Sequence, residues 1–138
     1  MTTIRGSAAL LALLGIPGVQ AANVPLSTPA PGSVTRQAIL NAVRLPVMQT
    51  LDQKLISFVV TDLKVGGGWA FVRARPLNAA NELVRDPASG APEVWSVLQL
   101  QRGGWKVLRW AMPTDVISQA WEKDFPAAPR NVWPHRRW

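Results

Sequence analysis

Cysteine is absent from this 138-residue chain, and histidine occurs once, at His135. The absence of cysteine excludes disulfide bonds, thiolate metal ligands, a cysteine nucleophile and a lipid anchor on an N-terminal cysteine. A single histidine argues against a histidine-rich zinc site within the chain. The sequence also contains no Gly-x-Ser-x-Gly nucleophile elbow and no phosphate-binding loop. These absences argue against nucleophilic and metal-dependent catalysis, and we predict no cofactor.

Acidic side chains are scarce, with eight Asp and Glu against 15 Lys and Arg and a formal net charge of +7. None of the acids forms a recognisable catalytic pair. Asp62 is notable because it lies inside an otherwise apolar segment, and we expect it to pair with Lys64 or with an arginine across a sheet. The basic excess favours an anionic partner, although it also serves solubility.

The apolar run at residues 8–14 is well short of the roughly 20 residues that a membrane-spanning helix needs. Arg5 precedes this run, glycine and proline follow it, and Val19-Gln20-Ala21 has the residues that signal peptidase prefers. The pattern predicts a signal peptide over residues 1–21 with cleavage after Ala21; an N-terminal membrane anchor is the alternative. The mature protein would reside in the periplasm or outside the cell.

Three prolines in residues 22–32 predict a proline-rich leader that acts as a mobile tether. Ser33 or Thr35 is positioned to cap a following helix. The apolar positions of this helix recur every four residues and form one stripe, at Ile39, Val43 and Val47. Pro46 should end or kink the helix near Arg44.

Two glycine turns, each followed by a tryptophan, dominate the rest of the chain: Gly66-Gly67-Gly68-Trp69 and Gly103-Gly104-Trp105. Each turn predicts a β-hairpin, because glycine adopts the positive φ angles that tight turns need. The strands flanking the turns are predicted at residues 55–65, 69–75, 93–101 and 105–112. The first strand is apolar on both phases over its first half, which predicts cover on both faces there. Residues 77–92 form a long connection.

After Pro113, Thr114 or Asp115 could cap a second helix that Pro126 ends. The apolar face of this helix would comprise Val116, Ile117, Ala120 and Trp121. The predicted fold class is α+β, with an N-terminal helix packed on a four-stranded antiparallel meander sheet and a short C-terminal helix. We expect a single domain over residues 33–126. Residues 127–138 form a basic tail of tryptophan and arginine, which suits a loosely docked end, a membrane interface or an anionic polymer.

Arginine and aromatic residues alternate on the predicted sheet. If the register is regular, Arg73 and Arg75 share the side of Trp69 and Phe71, and Arg109 follows Trp105 and Val107 in the same way. Such a surface can stack on rings and bind carboxylates or phosphates. The candidate binding residues are Trp69, Phe71, Arg73, Arg75, Arg109 and Trp110. The alternative is that the aromatic rings fill the core and the arginines form a solvated edge.

Several short motifs carry a resemblance to known proteins: Ala42-Val43-Arg44-Leu45-Pro46-Val47, Phe58-Val59-Val60, Gly68-Trp69-Ala70-Phe71-Val72 and Gly104-Trp105-Lys106-Val107. Through these motifs the chain resembles small uncharacterised exported bacterial proteins. A helix followed by an antiparallel meander is similar to the plan of cystatin-like and nuclear-transport-factor-like folds. The nuclear-transport-factor-like resemblance implies a pocket between helix and sheet, and the cystatin-like one implies protein binding.

These observations together predict an exported, non-enzymatic binding or accessory protein of the bacterial envelope. Its partner would be an envelope protein or an anionic ligand that contacts the arginine-bearing sheet face, and export makes nucleic acid a less favoured partner. Replacing Arg73, Arg75 and Arg109 by glutamine should then weaken binding and leave folding intact. The alternative function is a small-ligand pocket or an enzyme of nuclear-transport-factor-like type, lined by Trp69, Phe71, Trp110 and Asp62.

Overall fold

Antiparallel strands form one sheet, and a long helix precedes them. The computed structural model describes residues 22–85, 90, 92–112 and 118–134. In chain order the elements are α1 (Val34–Leu51), β1 (Ser57–Gly66), β2 (Trp69–Leu77), β3 (Val94–Gln101), β4 (Gly104–Ala111), α2 (Ser118–Asp124) and a 3-10 turn (Arg130–Val132). The strands lie in the order β1-β2-β3-β4, and each neighbouring pair is antiparallel. The predicted α+β fold is therefore confirmed.

Several of the sequence predictions fall on residues outside this description. The signal peptide at residues 1–21 is one of them. The start of the second helix is another, with its proposed caps Thr114 and Asp115 and the apolar positions Val116 and Ile117. The described part of α2 ends at Asp124, two residues before Pro126, as expected.

Helix α1 begins where the sequence places it but extends further. The backbone N–H of Arg36 donates to Ser33 Oγ at 3.2 Å, so Ser33 is the cap. Of the two effects predicted for Pro46, an end of the helix near Arg44 is wrong, because the helix continues through Pro46 to Leu51. A kink at this proline stays a prediction. Proline inside a helix costs about 3 kcal/mol. The adjacent Val47 is fully buried, and burial of such a side chain contributes about 1.5–3 kcal/mol, which offsets much of this cost.

Strand β1 contains a β-bulge between Val60 and Asp62. A bulge inserts one residue and moves the following side chains to the other phase. Consequently even-numbered residues face α1 before the bulge and odd-numbered residues face it afterwards. The side chains packed towards α1 are Phe58, Val60, Leu63 and Val65. Val59 is 46% exposed. The prediction that both faces are covered along the first half of β1 is therefore wrong.

Strand β4 contains a second bulge, at Leu108, because Val107 and Arg109 oppose consecutive residues of β3. Trp105 and Val107 pack with α1, whereas Leu108 packs on the opposite side of the sheet. Arg109 also lies on that opposite side, where its guanidinium is 4.9 Å from the Phe125 ring centroid. The predicted regular alternation, with Arg109 beside Trp105 and Val107, is therefore wrong.

We call the side of the sheet that α1 covers the helix face. Fully or almost fully buried side chains fill this interface: Ile39, Val43, Val47, Ile56, Leu63, Ala70, Val72, Ala74, Val94 and Leu98. Helix α1 lies closest to the sheet at β4, and the buried side chains of the other strands fill the space beneath it. The predicted stripe of α1 thus forms one half of a close-packed core.

We call the opposite side of the sheet, which bears Arg73, Arg75 and Arg109, the arginine face. Residues 118–134, the C-terminal segment, cover part of it. A second core forms there from Trp69, Phe71, Val97, Trp121, Ala128, Val132 and Trp133. The described part of the predicted tail is therefore packed rather than loosely attached, since Trp133 is only 1% exposed. His135 and the residues after it lie outside the described part.

The proline-rich leader is docked, in contrast to the mobile tether that its composition suggests. Ser27 and Val65 exchange two backbone hydrogen bonds, at 2.8 and 2.9 Å. The backbone of Val24 bonds with the Asn131 side chain through its N–H and its carbonyl, at 3.2 and 2.7 Å. The leader therefore connects the edge of β1 to the C-terminal segment. The backbone groups of Ser27 and Val24, which would otherwise need other partners, are hydrogen-bonded in these two places.

A Gly66→Ala substitution should displace this leader. A Cβ atom at Gly66 would lie 2.5 Å from the Pro25 carbonyl oxygen and 2.7 Å from Leu26 Cδ2. We expect a loss of about 1–3 kcal/mol in the free energy of unfolding, with faster amide exchange at Ser27 and Val65. Urea denaturation and amide hydrogen exchange measure the two effects.

A chain that starts at Ser33 is the control, because it lacks the atoms that meet the new Cβ. Gly66→Ala should cost this shorter chain much less than the longer chain. Equal costs in both chains would show that the leader does not rest on Gly66.

Candidate functional site

Arg73 is held in place by Glu93 and Trp95. Its Nε and Nη2 atoms donate to Glu93 Oε1 at 3.0 and 2.9 Å. Trp95 Nε1 donates to the same oxygen at 2.6 Å. The Arg73 guanidinium lies 5.0 Å from the Trp95 ring centroid, within cation–π range. Carboxylate and ring thus fix the guanidinium, and its positive charge is balanced within the protein.

Arg109 has a similar environment at the boundary with the C-terminal segment. It pairs with Asp124 and lies over the Phe125 ring. The two charged side chains are 42% and 48% exposed, so the ion pair contributes at most about 1 kcal/mol to stability. Its effect is positional, since it connects β4 to the C-terminal segment.

Arg75 differs from the other two arginines. It is exposed, and none of the ion pairs among the described residues includes it. In β1 it is opposite Val59, whose side chain is 46% exposed. We call the part of the arginine face formed by Val59, Arg73, Arg75 and Trp95 the open half. Its features are the exposed guanidinium of Arg75, the fixed guanidinium of Arg73 and adjacent apolar surface.

The aromatic candidates are core residues rather than surface residues. Trp69 is 7% exposed and Phe71 is fully buried. The Trp69 ring lies 6.3 Å from Phe125, and the Phe71 ring lies 6.0 Å from Trp133, both measured between centroids. These two rings can contact a partner only if the C-terminal segment moves away. For them the alternative interpretation, packing in the core, is the one that the structure supports.

The remaining candidate, Trp110, packs partly buried against α1 on the helix face. Trp69 and Phe71 lie on the arginine face. Asp62 points to that side as well, since it is opposite Arg73 in the register of β1 and β2. The four residues of the alternative pocket are therefore split between two faces and do not line a common cavity. Asp62 forms an ion pair with Lys64 at 3.7 Å, as predicted.

Two of the surface depressions formed by described residues contain none of the candidate residues. One is lined by Gln53, Asn78, Glu82, Leu83, Val84 and Arg85. The other lies between the leader, the β1–β2 turn, Leu100 and Trp105. Within the described ranges, no three histidine or acidic side chains are grouped to hold a metal ion. No helix in the part of the chain that the structure describes is both long enough and apolar enough to cross a membrane.

Sequence reasoning missed Glu93, Trp95 and Asp124 as parts of this surface. The spacing of Glu93 and Trp95 indicates that they share a face, because residues two apart on a strand project from the same side. Nothing in the sequence indicates the contact of Asp124 with Arg109. The two residues are 15 positions apart, and the contact depends on how the C-terminal segment folds back.

The chain matches no protein-family model, no curated protein and no solved structure. The fold and the open half describe a small α+β protein in which one face of the sheet bears arginines and is partly covered.

Proposed function

We propose that this protein is an exported, non-enzymatic binding protein that contacts an acidic partner protein of the bacterial envelope through the open half of the arginine face. The observation that carries the proposal is Arg75, an exposed guanidinium beside the exposed side chain of Val59. A free cation next to apolar surface suits a partner that presents a carboxylate next to an apolar side chain. The full sequence has a net charge of +7, and removal of residues 1–21 with Arg5 leaves 14 basic and 8 acidic residues, a net charge of +6 that would attract such a partner over a longer range.

The C-terminal segment supports this choice of partner. It places an acidic and an aromatic residue in succession, with Asp124 on Arg109 and Phe125 between Arg109 and Trp69. The protein thus uses its own acidic and aromatic side chains to cover one half of the arginine face. A partner segment of the same chemistry would complement the open half.

The positions of the carboxylates support a binding function rather than catalysis. Asp62, Glu93 and Asp124 each form an ion pair with a lysine or an arginine. They lie along a broad sheet face, whereas general acid–base catalysis needs titratable groups converging on a substrate. The signal-peptide pattern at residues 1–21 supports export, which places the partner in the envelope.

The geometry changes how the arginines should be tested. Replacing Arg73 and Arg109 removes contacts with Glu93, Trp95, Asp124 and Phe125, so the triple glutamine variant would also alter the structure. Arg75 is the arginine of the three whose replacement leaves these contacts intact.

An Arg75→Gln variant should bind polyglutamate about five- to tenfold more weakly than the parent protein at low salt. One exposed charge-assisted contact is worth about 1–1.5 kcal/mol, which corresponds to this change in Kd. Binding to the immobilised polymer, measured by biolayer interferometry, gives the two dissociation constants.

Arg102→Gln is the matched control, because Arg102 is exposed in the β3–β4 turn and its replacement removes the same charge. It should change Kd by less than about twofold. Equal weakening by both substitutions would indicate diffuse attraction and would contradict a site at Arg75. Tighter binding to single-stranded DNA than to polyglutamate, with the same dependence on Arg75, would favour nucleic acid over an acidic protein.

A further inference from the structure

Strand β1 lies at an edge of the sheet, and the leader occupies only one end of that edge. Ser27 forms an isolated bridge with Val65, and Thr28 Oγ1 donates to the Leu63 carbonyl at 2.8 Å. The chain then departs towards α1. The leader thereby shows that this edge accepts an added extended segment, and it leaves residues 57–60 uncovered by any strand of the described chain.

The backbone groups of this open stretch point outward. Phe58 is opposite Pro76 in the β1–β2 ladder. Pro76 has no N–H, and its carbonyl accepts a hydrogen bond from Val84 at 3.0 Å. Phe58 and Pro76 are therefore not a hydrogen-bonded pair, so the N–H and carbonyl of Phe58 face away from β2. Because the orientation alternates along a strand, the same groups of Val60 also face outward.

This open edge lacks the features that usually protect an edge strand. Residues 57–60 are Ser-Phe-Val-Val, with no proline and no charged side chain. The bulge of β1 begins only after Val60. Among the described residues, no backbone hydrogen bond from outside the sheet reaches Phe58 or Val60. An added strand would therefore find two residues with outward N–H and carbonyl groups.

We propose that the partner docks here by strand addition: an extended acidic segment pairs with the β1 edge at Phe58 and Val60 and directs a carboxylate over Val59 to Arg75. This inference rests on the proposed function and specifies how the partner binds. Neighbouring strands lie about 4.8 Å apart, so the added strand would be about 10 Å from β2. Extended arginine and glutamate side chains together span that distance.

Charge favours an acidic segment over a second copy of the chain. Lys54 precedes the open edge by three residues and Arg75 lies opposite Val59 on β2, and both side chains are exposed. Pairing two β1 edges would join two copies that each carry a positive net charge, which is unfavourable, whereas an acidic segment would reduce the positive charge at this edge.

The test uses amide hydrogen exchange, followed by nuclear magnetic resonance, with an acetylated heptapeptide of alternating glutamate and valine as the probe. Without peptide, the Phe58 and Val60 amides should exchange quickly. At saturating peptide both should exchange at least about tenfold more slowly, because each N–H would then be hydrogen-bonded in a ladder. The Val59 amide, which faces β2, serves as the internal control and should change little.

Two N-methylated forms of the peptide test the backbone contacts directly. Methylation of alternate residues blocks the N–H groups on one edge of an extended peptide and leaves the other edge free. The form whose methyl groups lie on the edge that faces β1 should bind at least about tenfold more weakly than the form methylated on the other edge. Equal affinity of the two forms would overturn strand addition.

The remaining outcomes separate this inference from the proposed function. Unchanged exchange at Phe58 and Val60 under saturating peptide would overturn strand addition, while polyglutamate binding that depends on Arg75 would still support the function. Slow exchange that rises with protein concentration in the absence of peptide would overturn it in favour of a second copy. Slow exchange that appears equally with a glutamine–valine peptide would retain the edge site and remove its acidic specificity.

Discussion

A Trp133→Ala variant should lose about 3–5 kcal/mol of its free energy of unfolding. Trp133 belongs to the C-terminal segment, is 1% exposed and packs on Phe71 of the sheet. Truncation to alanine removes this apolar contact and leaves a cavity between the segment and the sheet. Because a domain of this size has about 5–15 kcal/mol of stability in total, the loss should be evident in urea denaturation followed by far-ultraviolet circular dichroism.

Trp133→Phe is the matched control for this variant. Within the described structure the Trp133 Nε1 atom is buried without a hydrogen-bond partner. Phenylalanine removes this unsatisfied donor, which costs about 1–3 kcal/mol when buried, and it retains a ring against Phe71. We expect a change of less than about 1.5 kcal/mol. A loss below about 1 kcal/mol for the alanine variant would show that the C-terminal segment does not cover the sheet in solution.

Leu98→Ala should be the second strongly destabilising change, with a loss of about 2–5 kcal/mol. Leu98 is fully buried at the centre of the helix face, opposite Ala70 in β2. The small partner cannot fill the space that the leucine side chain leaves. Chemical denaturation measures the change in unfolding free energy.

Leu100→Ala provides the comparison, because Leu100 projects from the same face of the same strand. Its side chain is 52% exposed, so its replacement should change stability by less than about 1 kcal/mol. A similar loss for both variants would contradict the burial of Leu98 in the core of the helix face.

The helix stripe and both hairpins were predictable from the sequence because they depend on neighbouring residues. The recurrence of Ile39, Val43 and Val47 reflects the helical period. Gly67 and Gly68 adopt φ angles of +59° and +80°, which is the conformation that predicts a hairpin. A cystatin-like or nuclear-transport-factor-like relationship stays a prediction, since this plan of helix and meander leaves both open.

The two bulges could not be predicted from alternation alone. The extra residues, at Thr61 and Leu108, reverse the phase of the strand that follows. For β1 this places Leu63 and Val65 on the same face as Phe58 and Val60. For β4 it separated Arg109 from Trp105.

Contacts between distant segments account for the other differences. Composition suggested that the leader and the tail are loose, yet Val24 and Asn131 bind each other across 107 residues of chain. The arginine face itself was predicted correctly for Arg73 and Arg75, which project from β2 on the same side. The sequence did not predict that Arg73 is bound by a carboxylate while Arg75 is exposed, because Glu93, which holds Arg73, lies 20 residues away.

We propose that acidic partners bind at the open half of the arginine face rather than over the whole basic surface. A titration of the isotope-labelled protein with the glutamate–valine heptapeptide, followed by chemical shifts, tests it most directly. Shift changes should be concentrated in residues 57–61 and 73–76, with Arg102 and Lys106 nearly unaffected. Changes spread evenly over the exposed basic residues, or centred on the β3–β4 turn, would contradict it.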